Sequence, residues 1–280
     1  MPLLSKSNIK VIPNKKLYVS EPNPMWFGNE GNPRSDPSWT NKNWLKSRFH
    51  FSFAEYRNHQ NSNFGVLRVM NDDLVQPHRG FGTHPHGNME IVTYIVNGKL
   101  THEDSMGSSQ SLGRGSIQFM TAGTGIRHSE YNHTDKPLRF IQTWIVPEKS
   151  GLEPKYGGYD ASDKLTKNEV RHLASSTKDN ASDTPVKLNQ DVNCSAGELE
   201  LGKCLSVELP KGRQAYLLCL EGTLKVNGNT LARHDACEIT GDGKPLEIEA
   251  TGVEQTENGE VGHFLMFDMK EVEGSGRKDF

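Results

Sequence analysis

The segment Gly80-Phe-Gly-Thr-His-Pro-His-Gly-Asn-Met-Glu-Ile-Val-Thr-Tyr-Ile-Val96 joins a glycine-rich polar half to an apolar half. The apolar half is rich in β-branched and aromatic residues, as is typical of a buried strand. Similar short apolar segments recur along the chain and turn residues separate them, whereas helical periodicity is hard to find. Examples lie at 64–70, 116–120, 138–146, 204–209, 215–220 and 263–269. This pattern predicts an all-β fold, an antiparallel sandwich or barrel with few short helices.

A turn follows the apolar half of this segment. The pair Asn97-Gly98 is the residue pair most typical of a two-residue β-hairpin. A hairpin here would place the next strand, which carries His102 and Asp104, beside the strand of the glycine-rich half. The same order of apolar strand, polar-Gly turn and second strand recurs at 218–224. This weak repeat favours two similar β-domains.

Two histidine motifs lie in the first half of the chain. His84 and His86 form an H-x-H pair, and His128 and Glu130 form an H-x-E pair after a second glycine-rich turn. Residues i and i+2 of a strand project from the same face. Pairing of the two strands would therefore gather three imidazoles and one carboxylate, a set that suits a divalent transition metal.

Composition and charge exclude several classes of protein. The 280-residue chain has a formal charge of −3 and a pI near 6.4, so it has no electrostatic footprint for direct nucleic-acid binding or for an anionic membrane. Its first residues contain no apolar stretch typical of a signal peptide, and no later run approaches a membrane span. The four cysteines include no C-x-x-C pair, which favours reduced thiols. We expect a cytoplasmic protein, or a nuclear one if the source is eukaryotic.

The composition changes after residue 150. A stretch rich in Lys, Asp, Asn, Ser and Thr follows, and such segments cannot bury enough apolar surface to order themselves. We therefore predict a linker with loops at 151–186, between a metal-binding domain at 46–150 and a domain without metal at 187–280. Residues 1–45 are predicted to form an extension packed on the first barrel.

The histidine motifs carry a resemblance to a known family. Phe81-Gly-Thr-His-Pro-His86, Asp104-Ser-Met-Gly107 and Met120-Thr-Ala-Gly-Thr-Gly-Ile-Arg-His-Ser-Glu130 are similar to the pirin family of the cupin superfamily, and most similar to pirin-like quercetin 2,3-dioxygenases. The resemblance is strong over about residues 44–160 and loose in the C-terminal third. It implies a bicupin, two antiparallel jelly-roll barrels with one metal in the first.

The resemblance also implies which residues act. Its ligands carry over to His84, His86, His128 and Glu130, and Glu130 is in addition a candidate general base. Other cupins take a carboxylate from the position of Glu90, which pirins do not, so Glu90 is a structural candidate or one that supports the ligands. His102 and Asp104 either lie near the site and form hydrogen bonds there or belong to a solvated face. Asp104 or Glu90 would suit a role in orienting a ligating histidine.

The implied activity is the oxidative ring opening of a flavonol such as quercetin by O2, with release of carbon monoxide. Fe(II) is the expected metal, and Ni, Cu, Co, Mn or Zn also suit the donor set. The alternative function is an iron-containing regulator that binds transcription factors and uses the metal as a redox switch. A protein partner therefore stays open, and we expect a monomer.

Overall fold

The computed structural model describes residues 8–31 and 44–272, whose regular secondary structure is almost all β-strand, so the predicted all-β class is confirmed. In these residues the helical elements are the 3-10 turns Asn14–Lys16 and Pro24–Phe27, and neither approaches the length of a membrane-spanning helix. The strands are β1 (Ile9–Ile12), β2 (Tyr18–Ser20), β3 (Leu45–Phe49), β4 (Leu67–Val75), β5 (Arg79–His86), β6 (Glu90–Asn97), β7 (Leu100–Asp104), β8 (Ser109–Leu112), β9 (Ile117–Thr121), β10 (Ile126–Asn132), β11 (Leu138–Ile145), β12 (Lys155–Tyr159), β13 (Arg171–Ser176), β14 (Val186–Leu188), β15 (Val192–Leu199), β16 (Cys204–Val207), β17 (Arg213–Glu221), β18 (Thr223–Val226), β19 (Asn229–Ala232), β20 (Ala236–Thr240), β21 (Leu246–Gly252), β22 (Glu254–Thr256) and β23 (Gly259–Lys270).

Among the described residues, the first compact unit contains 17–31, 44–165 and 177–190. Its larger sheet has the strand order β12-β9-β6-β11-β4-β3-β2, and its smaller sheet has the order β5-β10-β7-β8. Apolar side chains from both sheets form a shared core: Trp44, Leu45, Val75, Ile95, Leu100, Leu112, Leu138 and Phe140. Burial of these side chains between the sheets stabilises a sandwich with one polar end, where the histidine motifs lie.

The second compact unit contains residues 8–16, 166–176 and 191–272 of the described chain. Its larger sheet runs β1-β20-β17-β23-β15-β13, and its smaller sheet runs β16-β21-β18-β19. Its core takes Ile9 from β1 and Phe264 and Met266 from β23. The two units thus share one architecture of a larger and a smaller antiparallel sheet, as the weak repeat predicts.

The polar segments differ from the prediction at two places. Strand β1 pairs with β20 of the second unit, and buries Ile9 and Ile12. The expectation that residues 1–45 pack on the first barrel is therefore wrong for β1, whereas β2 does pair with β3 of the first unit. Residues 155–159 and 171–176, both within the predicted linker, form β12 on the edge of the larger first sheet and β13 in the larger sheet of the second unit. The Tyr156 ring of β12 packs on the buried ring of His102.

The turn Asn97-Gly98 is a corner between sheets, so the hairpin prediction is wrong. β6 pairs with β9 and β11 in the larger sheet, whereas β7 pairs with β10 and β8 in the smaller one. Gly98 has φ +79° and a Cβ there would lie 2.6 Å from the Pro137 carbonyl oxygen. Gly222 (φ +73°) stands at the same corner of the second unit, between β17 and β18, and its Cβ would lie 2.4 Å from the Gly252 oxygen. Both corners require a residue without a side chain.

Candidate metal centre

Strands β5 and β10 bring the two histidine motifs together. Their antiparallel register sets His128 opposite His84 and Ile126 opposite His86. A bulge then sets Glu130 opposite Phe81, so that one additional residue of β5 is accommodated between the two pairs. This shift allows the aromatic core residue Phe81 and both histidines of β5 to face the interior of the same sandwich.

The three imidazoles converge through ring nitrogens. His84 Nε2 and His128 Nε2 are 3.0 Å apart, and the potential ligand atoms of His84, His86 and His128 all lie within 4.8 Å of one another. His84 Nδ1–H donates to the Gly82 carbonyl oxygen at 2.8 Å, so Nε2 of the neutral ring carries a lone pair. His86 Nε2 is buried and has no hydrogen-bond partner among the described residues. A bound cation would satisfy these nitrogens.

The environment keeps two of these rings neutral. Burial, together with the neighbouring imidazoles, lowers the pKa of His86 to about 3. Burial and the charges of His84 and His102 lower the pKa of His128 to about 3 as well. Metal ligation requires the neutral imidazole. The site therefore holds these histidines in the ligand form at neutral pH.

Two glutamine amides hold the Glu130 carboxylate. Gln118 Nε2 donates to Glu130 Oε1 at 3.0 Å, and Gln142 Nε2 donates to Glu130 Oε2 at 2.7 Å. Each amide is fixed in turn, because Tyr156 OH donates to Gln118 Oε1 and Trp144 Nε1–H donates to Gln142 Oε1. A carboxylate has about four lone-pair directions, so Glu130 keeps acceptor capacity beyond these two bonds.

His102 lies behind His128 in the interior. Its ring is 1% exposed, its Nδ1 is 3.4 Å from His128 Nδ1, and its Nε2 donates to Asp104 Oδ2 at 3.1 Å. The Tyr156 ring stacks on it with centroids 4.0 Å apart. His102, His128 and Glu130 also form a group whose potential ligand atoms lie within 4.8 Å. Strand β7, which carries His102, pairs with β10 and not with the strand of His84, as follows from the corner at Gly98.

The structure does not bring Glu90 into this cluster. Glu90 precedes Ile91, which packs with Met120 beside Trp144, and neighbouring residues of a strand face opposite sides. The fully buried Glu90 carboxylate instead accepts hydrogen bonds from Thr121 Oγ1 at 3.3 Å and from the Asn189 backbone N–H at 3.2 Å. Burial raises the pKa of Glu90, and these hydrogen bonds offset only part of that effect.

Sequence reasoning missed the side chains that surround the ligand set. Gln118 and Gln142 hold Glu130, Tyr156 stacks on His102, and Trp144 lies edge-on to His86 with centroids 4.7 Å apart. One signal was present in the sequence. Each glutamine is a polar residue within an otherwise apolar strand, and buried polar residues in such strands have a partner to satisfy.

Comparison with known proteins identifies the family. The pirin family profile matches residues 33–145, and the quercetinase C-terminal cupin domain matches residues 173–269. A quercetin 2,3-dioxygenase of Escherichia coli is 33% identical over 83% of this chain and 94% of its own length. A pirin-like protein of Caulobacter vibrioides is 38% identical over 70% of this chain and 84% of its own. The chain belongs to the pirin family.

A solved pirin structure extends this result to the whole fold. The bacterial pirin YhhW from Escherichia coli in complex with nickel(II) has a TM-score of 0.75 and 28% identity over 94% of this chain and 100% of its own. The two units are thus the two cupin barrels of a pirin, and the predicted bicupin is confirmed. The His/Glu cluster is able to bind a metal, and a related structure holds nickel.

The second cupin barrel has a different interior. Its β16 and β21 correspond in sheet order to β5 and β10, and they contribute apolar side chains such as Val207, Leu246 and Ile248 to the core. Both groups of converging ligands in the described chain lie in the first barrel. Burial of apolar side chains thus takes the place of ligands in the second barrel.

Proposed function

We propose that this pirin is a metal-dependent dioxygenase that opens the central ring of flavonols such as quercetin with O2 and releases carbon monoxide. The convergence of ring nitrogens of His84, His86 and His128, with the Glu130 carboxylate within the same range of His128, carries the proposal. Names of relatives support the reaction, since several are called quercetin 2,3-dioxygenases. We propose Fe(II) as the metal, held by His84, His86, His128 and Glu130.

The protein residues have distinct roles in this proposal. A bound divalent metal supplies Lewis acidity toward the flavonol 3-hydroxyl and redox access to O2. Glu130 accepts the proton of that hydroxyl at a carboxylate oxygen, which keeps acceptor capacity beyond the two hydrogen bonds from Gln118 and Gln142 that hold it in place. Positioning both reactants in this fixed geometry contributes much of the rate.

Aromatic side chains flank the histidines and suit a flat substrate. Trp144 lies edge-on to His86, and Phe53 lies edge-on to Trp144 with centroids 5.3 Å apart. Phe53 also lines a cavity of about 240 Å³ together with Tyr56 and Arg68. We propose that this aromatic surface packs against the flavonol rings, since aromatic pairs prefer edge and offset contacts.

The test is turnover by the purified protein loaded with Fe(II). Quercetin is added under air, and both the loss of flavonol absorbance and the release of CO are followed. His86→Ala is expected to abolish metal retention and flavonol consumption together, whereas the exposed control His172→Ala is expected to leave both unchanged. Consumption of quercetin by metal-free His86→Ala protein would contradict the proposal. Stoichiometric binding of Fe(II) without any consumption of quercetin would also contradict the proposal, and would favour the regulatory function.

A further inference from the structure

A continuous chain of hydrogen-bonding contacts runs through the metal centre from one acceptor to another. Asp104 Oδ2 is 3.1 Å from His102 Nε2, and His102 Nδ1 is 3.4 Å from His128 Nδ1. His128 Nε2 is 3.0 Å from His84 Nε2, and His84 Nδ1 is 2.8 Å from the Gly82 oxygen. Three imidazoles therefore make four contacts in a row.

The acceptors at the two ends of this series of contacts determine the direction of every hydrogen bond in it. The Asp104 carboxylate only accepts, so His102 donates from Nε2, and the neutral ring then accepts at Nδ1 from His128 Nδ1–H. At the other end the Gly82 carbonyl also only accepts, so His84 donates from Nδ1. In their neutral forms the three rings carry three N–H groups for four contacts. The contact without a proton is the one between His84 Nε2 and His128 Nε2, where two lone pairs face each other.

We propose that Asp104, acting through His102, is a positioning residue that sets the Nδ1–H tautomer of His128 and so directs its Nε2 lone pair at the metal. The proposal rests on the proposed function only for the presence of a metal between these nitrogens. A hydrogen bond to the far nitrogen of a ligating histidine fixes its tautomer and ring orientation. Here that control comes through a second buried imidazole.

The turn after β7 makes Asp104→Asn an informative variant. Asp104 Oδ1 accepts the backbone N–H groups of Met106 at 2.9 Å and Ser108 at 3.1 Å. An asparagine must keep its oxygen on those two donors, so its NH2 group faces His102 Nε2. That amide donates where the carboxylate accepted. His102 then carries its proton on Nδ1 and donates to His128, whose own proton moves to Nε2 and blocks the metal.

Two further variants separate tautomer control from a structural effect. His102→Phe keeps the ring that stacks on Tyr156 but removes the acceptor for His128, so it removes the tautomer preference without reversing it. Glu103→Gln removes one negative charge at the exposed neighbouring position. It is the matched control for Asp104→Asn.

The readouts are Ni(II) affinity by calorimetry and the His102 tautomer by imidazole 15N NMR of the metal-free protein. We expect Asp104→Asn to weaken Ni(II) binding on the order of 100-fold and His102→Phe about 10-fold, with Glu103→Gln unchanged. The His102 proton should move from Nε2 to Nδ1 in Asp104→Asn alone.

Three results would overturn the proposal. They are wild-type Ni(II) affinity in Asp104→Asn, lost affinity with an unchanged His102 tautomer, and a larger loss in His102→Phe than in Asp104→Asn. The last result would make His102 a ligand. If Asp104→Asn does not fold, the Ni(II) affinities of His102→Phe and Glu103→Gln still test the proposal. Equal affinities of these two variants would exclude a role for His102. Neither readout depends on flavonol turnover, so failure of the proposed reaction is seen separately.

Discussion

The corner at Gly98 sets where β7 crosses to the smaller sheet, and its substitution has a predictable cost. An alanine at φ +79° loses about 1–2 kcal/mol to the left-handed backbone conformation. Its Cβ would also lie 2.6 Å from the Pro137 oxygen, and relief of such an overlap costs about 1–3 kcal/mol. We therefore expect Gly98→Ala to lower the free energy of unfolding by about 3 kcal/mol, which corresponds to a melting temperature lower by about 6–12 °C.

Gly28 offers a matched control for this prediction. Its φ is +77° but a Cβ there would meet nothing within 4 Å, so Gly28→Ala tests the backbone conformation alone. We expect a loss of about 1 kcal/mol and a melting temperature lower by about 2–4 °C. Equal shifts for the two variants would refute the argument that close contact with Pro137 makes the corner costly.

Tryptophan fluorescence is the assay that isolates the first barrel. All the tryptophans among the described residues, Trp26, Trp44 and Trp144, belong to this unit, and no tryptophan follows residue 144 in the sequence. A thermal scan followed by fluorescence therefore reports the unit that contains Gly98. Far-UV circular dichroism of the same samples reports both units.

Three other predictions concern the interior of the first barrel. Gln142→Leu removes a charge-assisted hydrogen bond to Glu130 and should cost about 1.5–3 kcal/mol in urea unfolding and lower flavonol turnover; unchanged values in both assays would contradict the role of the amide. The pKa of His86 and that of His128 are lowered to about 3 in the fold, below the unfolded value near 6.5, so these two imidazoles should cost metal-free protein no stability above pH 6.5 and should lower its stability as the pH falls from 6.5 toward 3. Urea midpoints measured across that range check this, and a midpoint that rises on acidification would refute it. Burial and nearby carboxylates raise the pKa of Asp73 to about 8, so its protonated fold loses stability as the pH rises from 4 to 8. Asp73→Asn should therefore stabilise the protein by about 4 kcal/mol at pH 7 and have no effect near pH 4; the opposite pH trend would be decisive against it.

Local sequence pattern was sufficient for the fold class and for the proposed ligands. Strand periodicity and turn residues act over a few residues, so they predicted the all-β architecture without tertiary information. The i and i+2 spacing likewise predicted that His84 and His86 share a face, as do His128 and Glu130. The pirin resemblance of these segments is confirmed by the family match.

Local pattern was insufficient wherever a contact joins distant strands. A glycine turn is the same signal whether the next strand pairs with the last one or crosses to another sheet, so Asn97-Gly98 was misjudged. Burial of Leu100 in the common core favours the crossing. The glutamines that hold Glu130 were unrecognised for the same reason, since their partner lies on another strand.

The sequence by itself determined the class of fold, the family and the residues that offer ligand atoms, because each of these depends on short-range spacing or on local motifs. Only the tertiary structure decided how those atoms are connected. The register of β5, β10 and β7 places His128 between His84 and His102, with one ring nitrogen toward each. Cross-strand register depends on how two whole sheets bury their apolar faces together, and no single segment contains that information.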